Sequence, residues 1–486
     1  MTERPNIIWI YCDELLTDAL GCYGHEQLQL HTPHIDRLAA EGTVFTNHFC
    51  NSPVCVSSRV CVLTGLQPEE TGVYNNEGAW KDFQLPRPLE TFPEVFARHG
   101  YCTANFGKIH LPRQMMPESD ANRKVFQHHD GEGGGMAIWQ HLGEERVQMI
   151  RSPSGGMNGG IFPDDEPYPP DKVVENTLQW LSRIDEPYFV RVSILQPHTP
   201  VLPPARFVKL YENQNLDLPK PMPDTASAFE RRVAAVHGLH QMEREQLHAA
   251  RIHYYAQVAW IDEQVGRIVD FLEARGESDR TLIVFNADHG NPIGDTGAFE
   301  KHTFTPTSHR VPLIFRCPEA IESSQVRNDI SESLDLAPTL LGFAGISESG
   351  SYKGRNLFNG PAPEAIFSTI GFGESDSRMG PNGGAGPWYR GRGWPRRSCV
   401  RTGKYRLDKN MRMDGAKPAK EDEDVFLADM QNDPAELTNL AEDPQYTGVR
   451  ERLTKLLDQH AAEAIEVPQS SLVRQRPVRD LPWLKD

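Results

Sequence analysis

The sequence predicts an α/β protein, with a large, mixed but mostly parallel sheet sandwiched by helices and a smaller C-terminal α+β domain. Three observations predict it. Short apolar runs alternate with segments of helical period from Asn6 to Ala344, the pattern of strands joined by crossover helices. The runs are close to continuously apolar, as in Asn6–Tyr11, which suits strands covered on both faces. Beyond about Gly360 short extended pieces replace that alternation. At 486 residues the chain exceeds one ordinary core, so we assign residues 1–360 to the larger domain and 361–486 to the smaller.

Taken in order, Asn6–Tyr11 is the first core strand. Thr32-Pro33 opens an amphipathic helix over His34–Glu41 that Gly42 ends, and Thr43–Phe49 returns as extended chain. The run from Pro53 to Gly65 reads as a loop entering a helix, with Cys55 at its mouth, Arg59 one turn in and Gly65 as its stop. Leu89–His99 is a helix and Tyr101–Phe106 a strand. Gln114–Pro170, rich in Gly, Pro and Asp, reads as an excursion outside the core. Asp171–Arg183 is a helix, Tyr188–Leu195 a strand, and Glu243–Arg275 the longest helical pattern, with room for one break. Thr281–Phe285 and Val311–Arg316 are strands, and Ser333–Ala344 is a helix. In the smaller domain, Ala365–Thr369, Ser398–Val400, Tyr405–Leu407 and Val425–Ala428 are extended, before a helix near Val449–Ala462.

Composition narrows the function. With 38% hydrophobic and 24% charged residues and no long apolar run, the chain is a soluble globular type with no membrane partner. A net charge of -17 argues against a nucleic-acid partner, which needs a basic face. It leaves room for a small anion in a locally basic pocket. The first residues show no charged, apolar and small-residue sequence of an export signal, so the expected compartment is the cytoplasm and the eight cysteines are expected to be reduced. Oligomeric state is not legible.

In open parallel sheets, ligands sit beyond the carboxyl ends of the strands. Here those ends carry Asp13-Glu14, Lys108 with His110, His198, and Asp288-His289, while Glu300-Lys301-His302 precedes another strand. Each alone is more often a cap or a solvated loop charge; their recurrence at one edge is harder to attribute to loops. Asp13, Asp288 and Glu14 are hard oxygen donors suited to calcium, magnesium or manganese, and His289 can complete such a site. Arg59, Lys108, Lys301, His110 and His198 form a cationic set around Cys55, suited to holding a tetrahedral oxyanion.

These residues, in this order, resemble the formylglycine-dependent type I sulfatases of the alkaline-phosphatase superfamily. The signature match is Cys55-Val-Ser-Ser-Arg59 with Leu63-Thr-Gly65. Arg4-Pro-Asn-Ile with Asp13, Gly21-Cys-Tyr-Gly24, Thr32-Pro-His-Ile-Asp36, Gly107-Lys-Ile-His110, Pro197-His-Thr-Pro200, Asp288-His-Gly290, Arg310-Val-Pro-Leu-Ile314 and Asp335-Leu-Ala-Pro-Thr-Leu340 support it. The resemblance implies an alkaline-phosphatase-like fold and a sulfuric ester hydrolase. It implies that a formylglycine-generating enzyme oxidises Cys55 to formylglycine, whose hydrate is the nucleophile. One divalent metal, Ca2+ first with Mn2+ or Mg2+ as alternatives, would be held by Asp13, Asp288, His289, the converted Cys55 and Glu14. Arg59 would steady the hydrate, Lys108 and Lys301 would neutralise the sulfate, His198 with Lys301 would assist the leaving alcohol, and His110 would take the last proton. Ser57 departs from the proline or alanine usual two residues after the cysteine, and many members have aspartate or glutamine where Glu14 stands.

The rival readings are a phosphonate monoester or phosphodiester hydrolase of the same superfamily, and a non-catalytic anion-binding protein with Cys55 unmodified. The Lys108/His110 pair favours sulfate. With no export signal, a small sulfated carbohydrate is the expected substrate. His302, His309 and the aromatic and basic stretch containing Trp388, Arg390, Arg392 and Arg396 are candidates to contact it.

Overall fold

The computed structural model describes residues 4–24, 28–79, 83–116, 125–154, 158–214, 216, 219–347, 351–371, 380, 386, 388, 391–465, 481 and 483–484. Its larger sheet has eight strands: β1 (Asn6–Asp13), β2 (Thr43–Phe45), β3 (Cys102–Gly107), β4 (His128–Asp130), β5 (Tyr188–Pro197), β6 (Thr281–Ala287), β7 (Leu313–Arg316) and β8 (Gln325–Arg327). They lie in the order β8-β2-β7-β6-β1-β5-β3-β4. β1 pairs in parallel with both β5 and β6 at the centre, and only β7 runs against its neighbours.

Side-chain alternation along β1 explains the sandwich. Ile8, Ile10 and Cys12 enter one core with helices α1 (Pro33–Ala40), α4 (Asp171–Leu181) and α6 (Arg244–Ala274). Ile7, Trp9 and Tyr11 enter a second core on the other face, with α2 (Cys55–Thr64), α3 (Phe92–Arg98) and α7 (Leu336–Phe343). Both faces being covered is why the strand sequence is apolar throughout. Helix α5 (Ala228–His237) lies between α4 and α6 in the chain.

A second, antiparallel sheet of four strands follows: β9 (Ile366–Gly371), β10 (Arg396–Arg401), β11 (Tyr405–Arg412) and β12 (Phe426–Asp429), packed under α8 (Thr447–His460). It joins the first part through buried charge. Arg406 Nε donates to Asp408 Oδ2 at 2.7 Å and its Nη2 to Glu230 Oε1 on α5 at 3.1 Å. Arg401, paired with Glu436 at 2.5 and 2.9 Å within the second part, donates its Nη2 to Phe304 O at 2.5 Å in the first.

Three elements differ from expectation. β4 is an edge strand inside the Gln114–Pro170 excursion. Reciprocal bonds between Thr103 and Gln127, at 2.9 and 3.0 Å, secure it with polar side chains that leave no apolar period to read. β8 is a polar edge strand whose Val326 is 60% exposed. The long helix α6 runs unbroken, because Trp260, Ile261, Val265 and Ile268 stay in one core along its length. Among the described residues no helix is long and apolar enough to cross a membrane.

Candidate active site

Strand ends and one helix start bring the polar residues together. β1 ends at Asp13, and Glu14 turns off it with φ 63°. Asp288 and His289 follow β6, Lys108 follows β3, and His198 follows β5. α2 begins at Cys55, where Asn76 Oδ1 accepts from the Val56 amide at 3.0 Å, and the positive end of the helix faces the same place. Gly65 stops the helix at φ 65°, a conformation glycine adopts without strain. Asp13, Glu14, Cys55, Arg59, Asp288 and His289 are all fully buried.

Arg59 organises the group. Its Nη2 donates to Asp13 Oδ2 at 2.7 Å, its Nε to Asp288 Oδ2 at 2.9 Å and its Nη1 to Ser193 Oγ at 3.0 Å. The planar fork holds two carboxylates that would otherwise repel. Cys55 Sγ stands 3.2 Å from His289 Nε2 and 3.7 Å from Asp13 Oδ1. His289 Nδ1 is 2.9 Å from the Gly290 carbonyl, to which it donates, so Nε2 is turned toward the thiol. Lys108 pairs with Asp13.

A second knot surrounds Glu14. Lys301 pairs with Glu14 Oε1, and His198 Nε2 lies 3.3 Å from the same oxygen. Asn291 Nδ2 donates to Oε2 at 3.1 Å. Tyr254 on α6 donates to the Glu14 carbonyl at 2.5 Å, and Asp288 Oδ1 accepts from the Glu14 amide at 3.1 Å, which fixes the turn.

Charge follows geometry. Burial pushes the Cys55 thiol up, but Lys108, Lys301 and His289 outweigh it and hold it well below the ordinary thiol value. Burial opposes a charged His289, yet Asp288 and Cys55 raise it to about 10. Burial and Asp13 raise Asp288 to about 7. Burial, then Lys108, lowers His110 beside the thiol. Burial works against Lys301 too, but Cys55 and Glu14 raise it well above its usual value.

Two groupings of donor atoms, each within 4.8 Å of one another, suit a metal: Asp13, Cys55, Asp288 and His289, and Asp13, Glu14, Cys55 and His198. The carboxylate oxygens fit a hard divalent cation, and a thiol replaced by oxygen would fit it better.

The remaining candidates lie as follows. The amide of His302 donates to Pro53 O at 3.1 Å, next to the Cys55 loop. The His309 ring meets Cys50 O at 2.8 Å, Ser368 Oγ at 2.6 Å and Arg401 Nε at 2.9 Å, so both ring nitrogens are engaged. Trp388 packs on Phe229 and Trp394. Arg392 pairs with Asp422 at 2.6 Å, and Arg396 lies over the Tyr74 ring. Arg390 lies outside the described residues. Sequence reasoning missed Asn291, Ser193 and Tyr254. Asn291 alone had a signal, standing one residue beyond the Asp288-His-Gly290 run.

A family model described as Sulfatase matches residues 5–346. The chain is similar to an ulvan-active sulfatase of Formosa agariphila, 30% identical, over 74% of this chain and 66% of that one. Its fold is similar to that of BT4656 in complex with its substrate D-glucosamine-2-N,6-O-disulfate, with TM-score 0.71 and 22% identity over 95% of this chain and 98% of that one. It is also similar to a phosphonate monoester hydrolase of Agrobacterium radiobacter, with TM-score 0.72 and 23% identity over 95% and 96%.

Proposed function

Because the chain belongs to the sulfatase family and is a sulfuric ester hydrolase, we propose that it cleaves the sulfate ester of a small sulfated carbohydrate, with Cys55 converted to formylglycine. The observation that supports this best is the place of Cys55. It sits at a helix start, 3.2 Å from His289 and 3.7 Å from Asp13, with Lys108 paired to Asp13. A buried structural cysteine has no use for that company.

In this reading, Asp13, Asp288, His289 and the converted Cys55, with Glu14 beside them, would hold one divalent cation, Ca2+ first. When bound, it polarises a sulfate oxygen and acidifies the nucleophile. Formylglycine supplies, as its hydrate, an oxygen nucleophile in place of sulfur. Arg59 fixes both carboxylates through its 2.7 and 2.9 Å bonds. Lys108 and Lys301 place two positive charges where charge grows on the sulfate oxygens. As the ester S–O bond breaks, the departing oxygen takes a proton from the Lys301 and His198 pair, whose nitrogens are 3.5 Å apart. His110, beside residue 55, accepts the proton released when sulfate is expelled.

The carbohydrate preference draws on the ulvan-active relative and on the glucosamine disulfate bound by BT4656. The likeness to a phosphonate monoester hydrolase makes phosphorus esters the comparison arm. The test is a panel of sulfated monosaccharides, p-nitrophenyl sulfate, a phosphodiester and a phosphonate monoester. The proposal expects the highest kcat/KM on a sulfated sugar. Turnover of phosphorus esters alone would contradict it.

A further inference from the structure

Five arginines among the described residues are fully buried, and four of them are balanced by carboxylates. Arg59 meets Asp13 and Asp288, Arg397 and Arg406 meet Asp408, and Arg401 meets Glu436. The fifth is Arg191, in the middle of β5. Its Nε donates to Asn105 Oδ1 at 2.6 Å. Its Nη1 and Nη2 are buried without an acceptor, and it forms no ion pair among the described residues.

The strand explains the position. Arg191 lies between Trp9 on β1 and Asn105 on β3, and alternation puts its side chain on the face that carries Trp9, Tyr11 and Phe189. The guanidinium carbon is 4.9 Å from the centre of the Phe126 ring, 5.6 Å from that of Trp9 and 5.9 Å from that of Tyr11. Ring faces offset part of a buried positive charge, but they are poor hydrogen-bond acceptors. The indole Nε1 of Trp9, the cross-strand partner, is buried and unmet as well. Arginine and tryptophan side chains are donors only, so what this layer lacks is an acceptor.

Charge points the same way. Burial, then Arg59, pulls the Arg191 guanidinium down to about 9, which leaves it charged at neutral pH. A buried charge is costly unless one of opposite sign accompanies it. Water fills hydrogen bonds yet brings no charge. One guanidinium calls for one negative charge, and three ring faces around it call for a small ion.

We propose that Arg191 holds a monovalent, halide-sized anion, chloride under ordinary conditions, in the fork of Nη1 and Nη2 on the α2 face of the sheet. The anion is part of the fold and not of the reaction, and its place is the same whichever ester the enzyme cleaves. It neutralises Arg191 and so relieves the repulsion between Arg191 and Arg59, whose Nη1 bonds Ser193 two residues further along β5.

Crystals of the wild-type protein grown in sodium bromide, measured at the bromine absorption edge, test this. An anomalous peak between Nη1 and Nη2 is expected. In solution, wild type and Arg191→Met are dialysed into halide-free sodium gluconate and heated there or in chloride of equal ionic strength. The methionine fills the space without a charge. The midpoint of wild type, read relative to that of Arg191→Met, is expected to rise by about 2 °C or more when chloride replaces gluconate. A fork that holds water and gives no anomalous peak overturns the proposal. A peak with no relative shift marks binding at crystal concentration only and overturns it too. If Arg191→Met does not fold, Arg191→Gln takes its place, since it also lacks the charge.

Discussion

Arg401 Nε donates to His309 Nδ1 at 2.9 Å, tying the antiparallel sheet to the loop that carries Lys301. The same guanidinium donates to Phe304 O at 2.5 Å, and the far side of the His309 ring meets Cys50 O, on the approach to Cys55. One arginine of β10 thus braces two segments that feed the site.

Replacing it with Arg401→Met strips Glu436 of a bidentate partner and leaves Phe304 O and His309 Nδ1 unmet. Breaking a buried ion pair from one side costs about 3 kcal/mol or more. Urea denaturation is expected to show a loss of that size, with kcat reduced more than KM is raised. A variant with unchanged midpoint and kcat would show that the brace is idle.

Arg59→Lys keeps the charge but not the fork. A lysine can meet one of Asp13 and Asp288, both fully buried, and leaves the other without its partner. The expected effect is about 3 kcal/mol of lost stability and kcat down about 100-fold or more. Metal affinity, measured by titration calorimetry, is expected to weaken with it.

A stability change with pH is expected away from the site, at Glu332 and Asp335. Burial, then Asp335, raises Glu332 to about 8, and burial raises Asp335 to about 6. Both folded values stand above the unfolded ones, about 4.3 and 3.9. The folded state therefore binds more protons, and its advantage is complete below pH 4 and lost as pH rises toward 8. Glu332→Gln keeps an oxygen for Asn51 and Gln67, which donate to Glu332 Oε2 at 2.7 and 3.2 Å. Denaturation at pH 5.5 and 8 is expected to show a smaller difference for the variant than for wild type. Equal differences would contradict the assignment.

Ser57 stands third in α2 and donates its hydroxyl to Val73 O at 2.6 Å. Proline is tolerated in a first turn, so Ser57→Pro is expected to fold, with about 1 kcal/mol lost for that bond. Co-expression with a formylglycine-generating enzyme is expected to give more aldehyde at residue 55 than wild type, read by mass spectrometry. An unchanged fraction would show that Ser57 does not limit conversion.

Much of this was legible because the chemistry sits where apolar runs stop. Asp13 ends, and Lys108, His198 and Asp288 each follow, a strand whose apolar character marks it, and Gly65 marks the end of the Cys55 helix. What was not legible depends on side chains meeting across the fold. β4 and β8 are polar edges with no period. Arg397, Arg401 and Arg406 are fully buried, because Asp408, Glu436 and Glu230 come to them from other parts of the chain. His309 read as a substrate contact or a loop cap. No local pattern announces that Arg401, 92 residues away, closes on its ring.

The central claim is that residue 55 works as an oxidised side chain beside a divalent cation. Its most direct test is mass spectrometry of the peptide spanning Pro53 to Gly65 from protein made with a formylglycine-generating enzyme, paired with sulfate release by the same sample. The account predicts an aldehyde at residue 55 and sulfate release that rises with the aldehyde fraction and stops in Cys55→Ala. Equal release by the unconverted thiol, or by Cys55→Ala, would contradict it.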